Sequence, residues 1–314
     1  IKSFEINSSF MGHGGDQMLD AGMEIFEHTS NLNIMGFSEI MKHLPRMFKI
    51  MGKTKELIKE KAPDKIILID YPGFNLRLAK EIKNLKIPIT YFILPQIWAW
   101  NHKRINLMKK YINQSISIIP FEKNWFESRG LPIQYVGHPF SEPISRNETK
   151  KDILNRHGFN ESDPILVLLP GSRQQEIEKH WPIFIKTVLN VKKRIPSLQV
   201  LVICAPDVEI NKIPNHIRSE TNTRLALSVA TAAIVSSGTA TLECAAENIP
   251  IVVCYKMSIF SWIIAKIMAK QKYISLVNLI ANDTVVKEFL QYNLTISNLS
   301  KAITPLLDKE NNSR

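Results

Sequence analysis

The sequence has 314 residues, of which 45% are hydrophobic and 22% are charged, so it is long enough for two soluble domains with their own cores. No apolar run approaches the roughly 18 residues that span a bilayer, which argues against a membrane-spanning helix. The formal net charge of +11 predicts an anionic partner: a phosphorylated ligand, nucleic acid or an acidic membrane surface.

The three cysteines, Cys204, Cys244 and Cys254, have neither metal-ligand spacing nor an even number. No secretory signal, Walker phosphate loop or His/Cys/carboxylate cluster is visible. We therefore expect buried thiols in a reducing cytosol, no metal and no cofactor.

Short β-branched segments alternate with helical patterns along the whole chain. The predicted strands are residues 65–69, 89–93 and 115–119, then 165–169, 200–204, 232–235 and 251–254, and helices are predicted over 179–194 and 239–248. This alternation is typical of parallel sheets covered by helices. It predicts an α/β protein with two Rossmann-like domains whose sheets face a central cleft, with ligands beyond the carboxyl ends of the strands.

A polar, charge-rich segment, residues 141–163, separates the two sets of strands. We predict an N-terminal domain over residues 1–143 and a C-terminal domain over 144–290. Residues 291–314 are predicted as a C-terminal helix and a polar tail.

The stretch from Lys42 to Lys61 carries seven basic residues against two acidic ones, and apolar residues between positions 37 and 51 recur at roughly helical spacing. Two interpretations stay open: an amphipathic helix packed on the sheet with a solvated lysine face, or a surface that lies on an anionic membrane. A second cluster, from Lys256 to Lys272 with Phe260 and Trp262, strengthens the membrane interpretation.

Asp70 directly follows the predicted strand 65–69 and precedes Tyr71-Pro72-Gly73. A carboxylate at this end of a strand is well placed to act as a general base. The alternative is an aspartate that caps the next helix or satisfies the turn.

Aromatic and basic residues follow the predicted strand 89–93. Trp98 and Trp100, then Lys103 and Arg104, are suited to line a carbohydrate or acyl pocket, or the tryptophans are core residues. His138, just before the linker, is interpreted as a structural residue that fixes the hinge.

Two small-residue turns in the second half each join a predicted strand to a helix. One runs from Pro170 to Arg173, and the other begins at Gly238. Helix N-termini in this setting favour a phosphate, although such turns also occur for purely local reasons. The Arg173 fork suits a diphosphate, and Glu243 is placed to accept hydrogen bonds from a ribose diol. Together the turns predict a nucleotide-sugar site.

Ten segments taken in order carry a resemblance to a known family. They are Phe10-Met-Gly-His-Gly-Gly15, Met35-Gly-Phe-Ser-Glu39, Ile69-Asp-Tyr-Pro-Gly-Phe-Asn75, Pro95-Gln-Ile-Trp-Ala-Trp100, Pro120-Phe-Glu-Lys123, Val136-Gly-His-Pro139, Leu168-Leu-Pro-Gly-Ser-Arg173, Ser237-Gly-Thr-Ala-Thr-Leu-Glu243, Tyr255-Lys-Met257 and Ser275-Leu-Val-Asn-Leu279. Nearly end to end, the chain resembles the lipid-A-disaccharide synthase family, inverting glycosyltransferases of the GT-B fold.

The resemblance implies transfer of 2,3-diacylglucosamine from its UDP donor to 2,3-diacylglucosamine 1-phosphate, with Asp70 as the catalytic residue. It implies a UDP-sugar site made of Gly171, Ser172, Arg173, Ser237, Gly238, Thr239, Glu243, Tyr255 and Asn278. It implies an acceptor or lipid side made of Met35, Phe37, Trp98, Trp100, Lys103 and Arg104.

The resemblance also implies a cytoplasmic protein, peripheral on the inner face of the inner membrane, with a possible homodimer and no nucleic-acid partner. In the family a further strand and a G-E-x-S-G-D loop precede the first matching segment, so we expect the first β-α unit to be missing from the first sheet. A final helix of the family crosses back onto the first domain, and residues 291–314 are expected to do so. Two alternatives stay open: another GT-B enzyme with a soluble UDP-sugar substrate, such as an epimerase, or an inactive nucleotide-sugar-binding protein.

Overall fold

A computed structural model describes residues 8–29, 37–142, 148–205, 208–258, 262 and 272–308, with the backbone alone for 37–44. The chain divides into two compact units: Ile1–Pro95 with Asn106–Gln114, and Gln96–Ile105 with Ser115–Arg314. Among the residues described, no helix is long and apolar enough to cross a bilayer.

The described residues up to Ser141 form six short strands and five α-helices. The strands are β1 (Met11–Gly14), β2 (Glu24–His28), β3 (Ile66–Ile69), β4 (Ile89–Phe92), β5 (Gln114–Ser117) and β6 (Gln134–Tyr135). The helices are α1 (Asp16–Asp20), α2 (Phe37–Lys61), α3 (Pro72–Glu81), α4 (Ile105–Tyr111) and α5 (Glu122–Glu127). β1 and β2 form a parallel pair of their own, and the other four form a sheet in the order β3-β4-β5-β6.

From Lys150 onward, the part of the chain that the structure describes forms six strands and six α-helices. The strands are β7 (Ile165–Leu169), β8 (Gln199–Ile203), β9 (Arg218–Glu220), β10 (Ala232–Ser236), β11 (Ile251–Tyr255) and β12 (Lys287–Leu290). The helices are α6 (Lys150–His157), α7 (Gln174–Lys192), α8 (Thr223–Leu227), α9 (Ala240–Ala246), α10 (Leu276–Ala281) and α11 (Ile296–Ile303). The sheet is parallel throughout, in the order β12-β11-β10-β7-β8-β9.

The six-stranded sheet is buried on both faces, which explains why its central strands are continuous apolar runs. Along β7, Leu166 and Leu168 face one hydrophobic cluster with Phe184 of α7. The alternate residues, such as Val167, face a second cluster with Leu225 of α8. This confirms the parallel α/β organisation that the alternating pattern predicted.

The sequence analysis did not predict the two edge strands of this sheet, β9 and β12. β9 and β12 have the sequences RSE and KEFL, and they pair on one side only. A strand at the edge of a sheet needs no continuous apolar run, so a search for apolar segments misses it.

The C-terminal helix α11 packs on α7. Leu299 and Ile303 are fully buried in the cluster that contains Phe184, and Asn190 Nδ2 donates to Ser300 Oγ at 3.0 Å. Residues 309–314 lie outside the described residues, so the predicted crossing of this segment to the first domain stays a prediction.

Candidate functional site

The loop after β7 opens a candidate site at the carboxyl end of the six-stranded sheet. Gly171 has a φ of +135°, and a Cβ atom there would lie 2.6 Å from Glu176 Oε2. Only glycine accommodates both the backbone conformation and the contact. Arg173 is the N-cap residue of α7, and its side chain makes no capping hydrogen bond.

Glu176, which the sequence did not single out, is where several predicted binding residues meet. Its carboxylate accepts hydrogen bonds from Ser172 N at 3.3 Å and from Arg173 Nη1 at 3.0 Å, and Tyr255 Oη lies 3.5 Å from Oε1. Residues that were predicted to bind a UDP-sugar therefore surround the carboxylate of Glu176. The sequence signal that could have identified Glu176 is its place in the first turn of α7, three positions after the N-cap residue Arg173.

The second predicted turn follows β10, which lies between β7 and β11 in the sheet. Ser237 N donates to Cys254 O at 2.9 Å, and Ser237 Oγ donates to Ile274 O at 3.1 Å. A Cβ atom added at Gly238 would meet no atom within 4 Å, so the turn faces open space. Thr239 is the N-cap residue of α9 and makes no side-chain capping hydrogen bond. The hydroxyl of Ser237 is therefore used within the fold, while the backbone at Gly238 can be approached by a ligand.

Glu243 lies beside an arginine that the sequence did not single out. Arg224 Nε is 3.8 Å from Glu243 Oε1, and the Arg224 guanidinium lies 5.0 Å from the centre of the Phe140 ring. Burial raises the pKa of the Glu243 carboxyl, and Arg224 opposes that shift.

His138 Nδ1 accepts a hydrogen bond from Phe140 N at 3.2 Å, which supports the structural interpretation of His138.

Asn278 is fully buried and its amide is occupied by the protein. Nδ2 donates to Val286 O and Glu288 Oε1, both at 2.8 Å, and Oδ1 accepts from Val285 N and Val286 N, both at 2.9 Å. Glu288 in turn accepts from Ser275 N at 3.0 Å. These bonds support a role for Asn278 in holding the loop before β12, rather than direct contact with a ligand.

Asp70 lies at the end of β3, as predicted, in an unusual backbone conformation. Asp70 and Tyr71 both have a φ of 44°, the left-handed region that non-glycine residues rarely adopt. The Asp70 carbonyl is held by Asn75 Nδ2 at 2.7 Å and by Tyr91 Oη at 2.5 Å. Strained conformations persist only where neighbouring groups hold them, and they concentrate at functional sites.

The Asp70 side chain is exposed, yet the surrounding atoms desolvate its carboxyl enough to raise its pKa. The backbone N–H of Tyr71 opposes this shift. The N-cap residue of α3 is Tyr71 and the helix has no side-chain cap, so Asp70 does not cap it. An accessible carboxylate with a raised pKa has the properties of a general base.

The loop after β4 separates the two tryptophans. Trp98 is only 2% exposed, and its Nε1 donates to Glu122 Oε1 at 2.8 Å, so the structure favours the core interpretation for this residue. Trp100 is 45% exposed, and the Arg104 guanidinium lies 4.8 Å from the centre of its ring. Lys103 is exposed. Trp100, Lys103 and Arg104 therefore present an aromatic and basic surface that is open to a ligand.

The predicted basic helix is confirmed as α2. Ile50 and Met51 are buried, whereas Phe48 on the same helix is 55% exposed, with the Arg77 guanidinium 5.2 Å from the centre of its ring. Met35 and the side chain of Phe37 lie outside the described residues, and of the second cluster only Lys256, Trp262 and Lys272 are described. Cys244 and Cys254 are buried and Cys204 is half-buried.

Sequence comparison matches the whole chain, residues 1–314, to the family described as lipid-A-disaccharide synthetase. The lipid-A-disaccharide synthase of Coxiella burnetii (strain RSA 331 / Henzerling II) is 32% identical over 99% of this chain and 84% of its own length. Lipid-A-disaccharide synthase 1 of Legionella pneumophila (strain Paris) is 36% identical over 97% of this chain and 82% of its own length.

Two solved structures with the same fold contain UDP or a UDP-sugar. UDP-GlcNAc 2-epimerase from Neisseria meningitidis, bound to UDP-GlcNAc, matches 97% of this chain and 93% of its own with a TM-score of 0.64 and 12% identity. The S. aureus MnaA–UDP co-structure gives a TM-score of 0.64 and 12% identity over 97% of this chain and 89% of its own. At this identity the likeness establishes the GT-B fold and no more.

Proposed function

The chain belongs to the lipid-A-disaccharide synthetase family, and on that premise we propose that it transfers 2,3-diacylglucosamine from a UDP donor to 2,3-diacylglucosamine 1-phosphate. It is a glycosyltransferase of lipid A biosynthesis that uses a UDP-sugar. The reaction inverts the anomeric carbon and releases UDP. Family membership over the full length favours this lipid substrate over a soluble one.

The observation that carries the proposal is the set of donors around Glu176. Ser172 N, Arg173 Nη1 and Tyr255 Oη already surround a carboxylate at the carboxyl end of the sheet. Groups that stabilise a carboxylate also stabilise a phosphate, and a guanidinium has five N–H donors to share between two anions. The open turn at Gly238 on the neighbouring strand supports binding of the same diphosphate.

Each reacting group has a role in a single displacement. Asp70 accepts the proton of the acceptor 6-hydroxyl as its oxygen attacks the anomeric carbon. The bond from that carbon to the UDP oxygen breaks, and Arg173 stabilises the negative charge that develops on the departing diphosphate. Glu243, kept oriented by Arg224, accepts hydrogen bonds from the ribose.

Because both proposed substrates carry acyl chains, the enzyme is expected to act at a membrane surface. We propose that the lysine face of α2 and the exposed Phe48 bind an anionic membrane on its cytoplasmic side. Trp100, Lys103 and Arg104 are proposed to contact the acceptor, and a homodimer is proposed from the family resemblance.

Two substitutions test the assignment. Asp70→Asn should lower turnover by roughly 10²–10⁴-fold, since a general base contributes about that much, and should leave UDP affinity unchanged. Arg173→Ala should weaken UDP binding by about tenfold or more, because it removes a charge-assisted hydrogen-bond donor. Turnover of the diacylated UDP-glucosamine and calorimetric titration with UDP measure the two effects. Near-normal turnover of Asp70→Asn, or unchanged UDP affinity of Arg173→Ala, would remove the corresponding role.

A further inference from the structure

His180, on α7, is a fully buried histidine that joins two loops. Its Nδ1 lies 2.7 Å from Pro170 O, and its Nε2 lies 2.9 Å from Lys256 N. The ring also stacks on Phe184, with centroids 6.0 Å apart and planes 10° apart. Both polar atoms of the ring are therefore used on backbone groups.

The two backbone groups directly follow strands that are not neighbours in the sheet. Pro170 directly follows β7 and Lys256 directly follows β11, and β10 lies between these strands in the sheet. Past the ends of the strands the ladder of hydrogen bonds no longer supplies partners, and a buried backbone group needs one. His180 supplies both partners and spans the end of β10, where the Ser237-Gly238 turn begins.

The partners define the proton position on the ring. Lys256 N can only donate, so Nε2 must present its lone pair. Nδ1 then carries the hydrogen and donates it to Pro170 O, which can only accept. The hydrogen-bond network thus assigns a neutral imidazole with the Nδ1–H tautomer.

We infer that His180 is a positioning residue that sets the distance between the Pro170–Arg173 turn and the end of β11 at Tyr255 and Lys256. Through this distance it sets how Arg173 and Tyr255 bind the diphosphate. The inference rests on the proposed function, because it assigns the diphosphate of a UDP-sugar to these loops. Arg173 and Tyr255 meet at Glu176, and each lies within three residues of a backbone group that His180 holds. A small change in the separation of the loops therefore moves both donors relative to each other.

The surroundings make this link sensitive to acid. Burial lowers the pKa of His180, Lys179 and Lys256 lower it further, and the Pro170 carbonyl opposes them. The Tyr255 ring faces the imidazole from β11 at 6.0 Å, and Phe184 faces it from α7. When His180 is protonated, a proton on Nε2 faces the Lys256 N–H donor and the hydrogen bond is lost. The link is therefore complete above the lowered pKa and is lost as the pH falls through it.

His180→Leu removes both hydrogen bonds and keeps an apolar side chain against Phe184. His157→Gln is the matched control, because His157 is a nearly buried histidine of the same unit that contacts Glu220, at the end of β9. UDP is the probe, titrated calorimetrically against the full chain from about pH 5.5 to about pH 8. At the upper pH, His180→Leu should bind UDP about tenfold more weakly than wild type, and the control should bind within about twofold.

The pH dependence of UDP affinity distinguishes loss of the His180 hydrogen bonds from a general destabilisation of the fold by the substitution. As the pH falls through the lowered pKa of His180, the difference in UDP affinity between wild type and His180→Leu should shrink, because both then lack the Lys256 hydrogen bond. Donor KM should rise more than kcat falls. Equal affinities of wild type and His180→Leu across the range would overturn the inference and leave the proposed function intact. Failure of the wild type itself to bind UDP would overturn the proposed function.

A measurement on the unaltered chain guards against a variant that fails to fold. Nitrogen-detected NMR of the imidazole should show the neutral Nδ1–H form of His180 at about pH 7. The Nε2–H form or a charged ring at that pH would overturn the inference.

Discussion

Glu122 offers the sharpest test of the structure, because a buried carboxyl has a large and measurable effect on stability. It is 1% exposed, accepts a hydrogen bond from Trp98 Nε1 at 2.8 Å, and accepts another from the Ser117 hydroxyl. Burial raises the pKa of Glu122 from 4.5 to about 7, although the hydrogen bonds from Ser117 and Trp98 oppose the shift. The folded chain therefore keeps this group protonated at mildly acidic pH.

The sign and size of the effect follow from proton linkage. As the pH rises above 4.5 the unfolded chain loses the proton first, so the free energy of unfolding falls until the folded carboxyl also ionises, at about pH 7. The difference between the two pKa values corresponds to about 3 kcal/mol. Glu122→Gln keeps an oxygen for Trp98 and cannot ionise, so it should remove this loss.

Urea unfolding at about pH 4.5 and about pH 8 measures the prediction, with the change in unfolding free energy compared between wild type and variant. Glu122→Gln should gain about 3 kcal/mol relative to wild type between the two pH values. Glu127→Gln removes a carboxyl from the exposed end of the same helix and is the control. A parallel loss of stability in Glu122→Gln and wild type as the pH rises would show that Glu122 does not cause the loss.

Three further substitutions test local features of the fold, two beside the six-stranded sheet and one in α3. Gly171→Ala should lower the free energy of unfolding by roughly 1–3 kcal/mol, because of its positive φ and the contact with Glu176, and should weaken UDP binding in the same calorimetric titration. Gly73→Ala, in α3 with open space at its Cβ, should instead stabilise the chain by up to about 1 kcal/mol, and a loss there would contradict the helix assignment. Asn278→Leu should cost roughly 2–4 kcal/mol in urea unfolding, because it leaves Glu288 and two backbone N–H groups without the amide; a neutral result would show that the amide does not hold the loop.

Much of the fold follows from local sequence pattern. β7 and residues 232–235 of β10 are continuous apolar runs, because each strand is buried on both faces, and such runs are visible without knowledge of their neighbours. The small-residue turns after them, with Gly171 and Gly238, and the carboxylate after β3, Asp70, mark the strand ends where ligands bind in this class of sheet. Ordered motifs along the chain identified the family.

Which side chains meet was decided by tertiary structure. Glu176 becomes the partner of Arg173 and Tyr255, and His180 joins Pro170 to Lys256, because the sheet places β7, β10 and β11 side by side although they are distant in the chain. Asn278 and Trp98 occur in recognisable motifs, yet both are buried and bonded to the protein. The physical reason is that periodicity and turn chemistry report contacts within a few residues, whereas parallel strand order, and with it the environment of each strand end, depends on contacts between segments far apart in sequence.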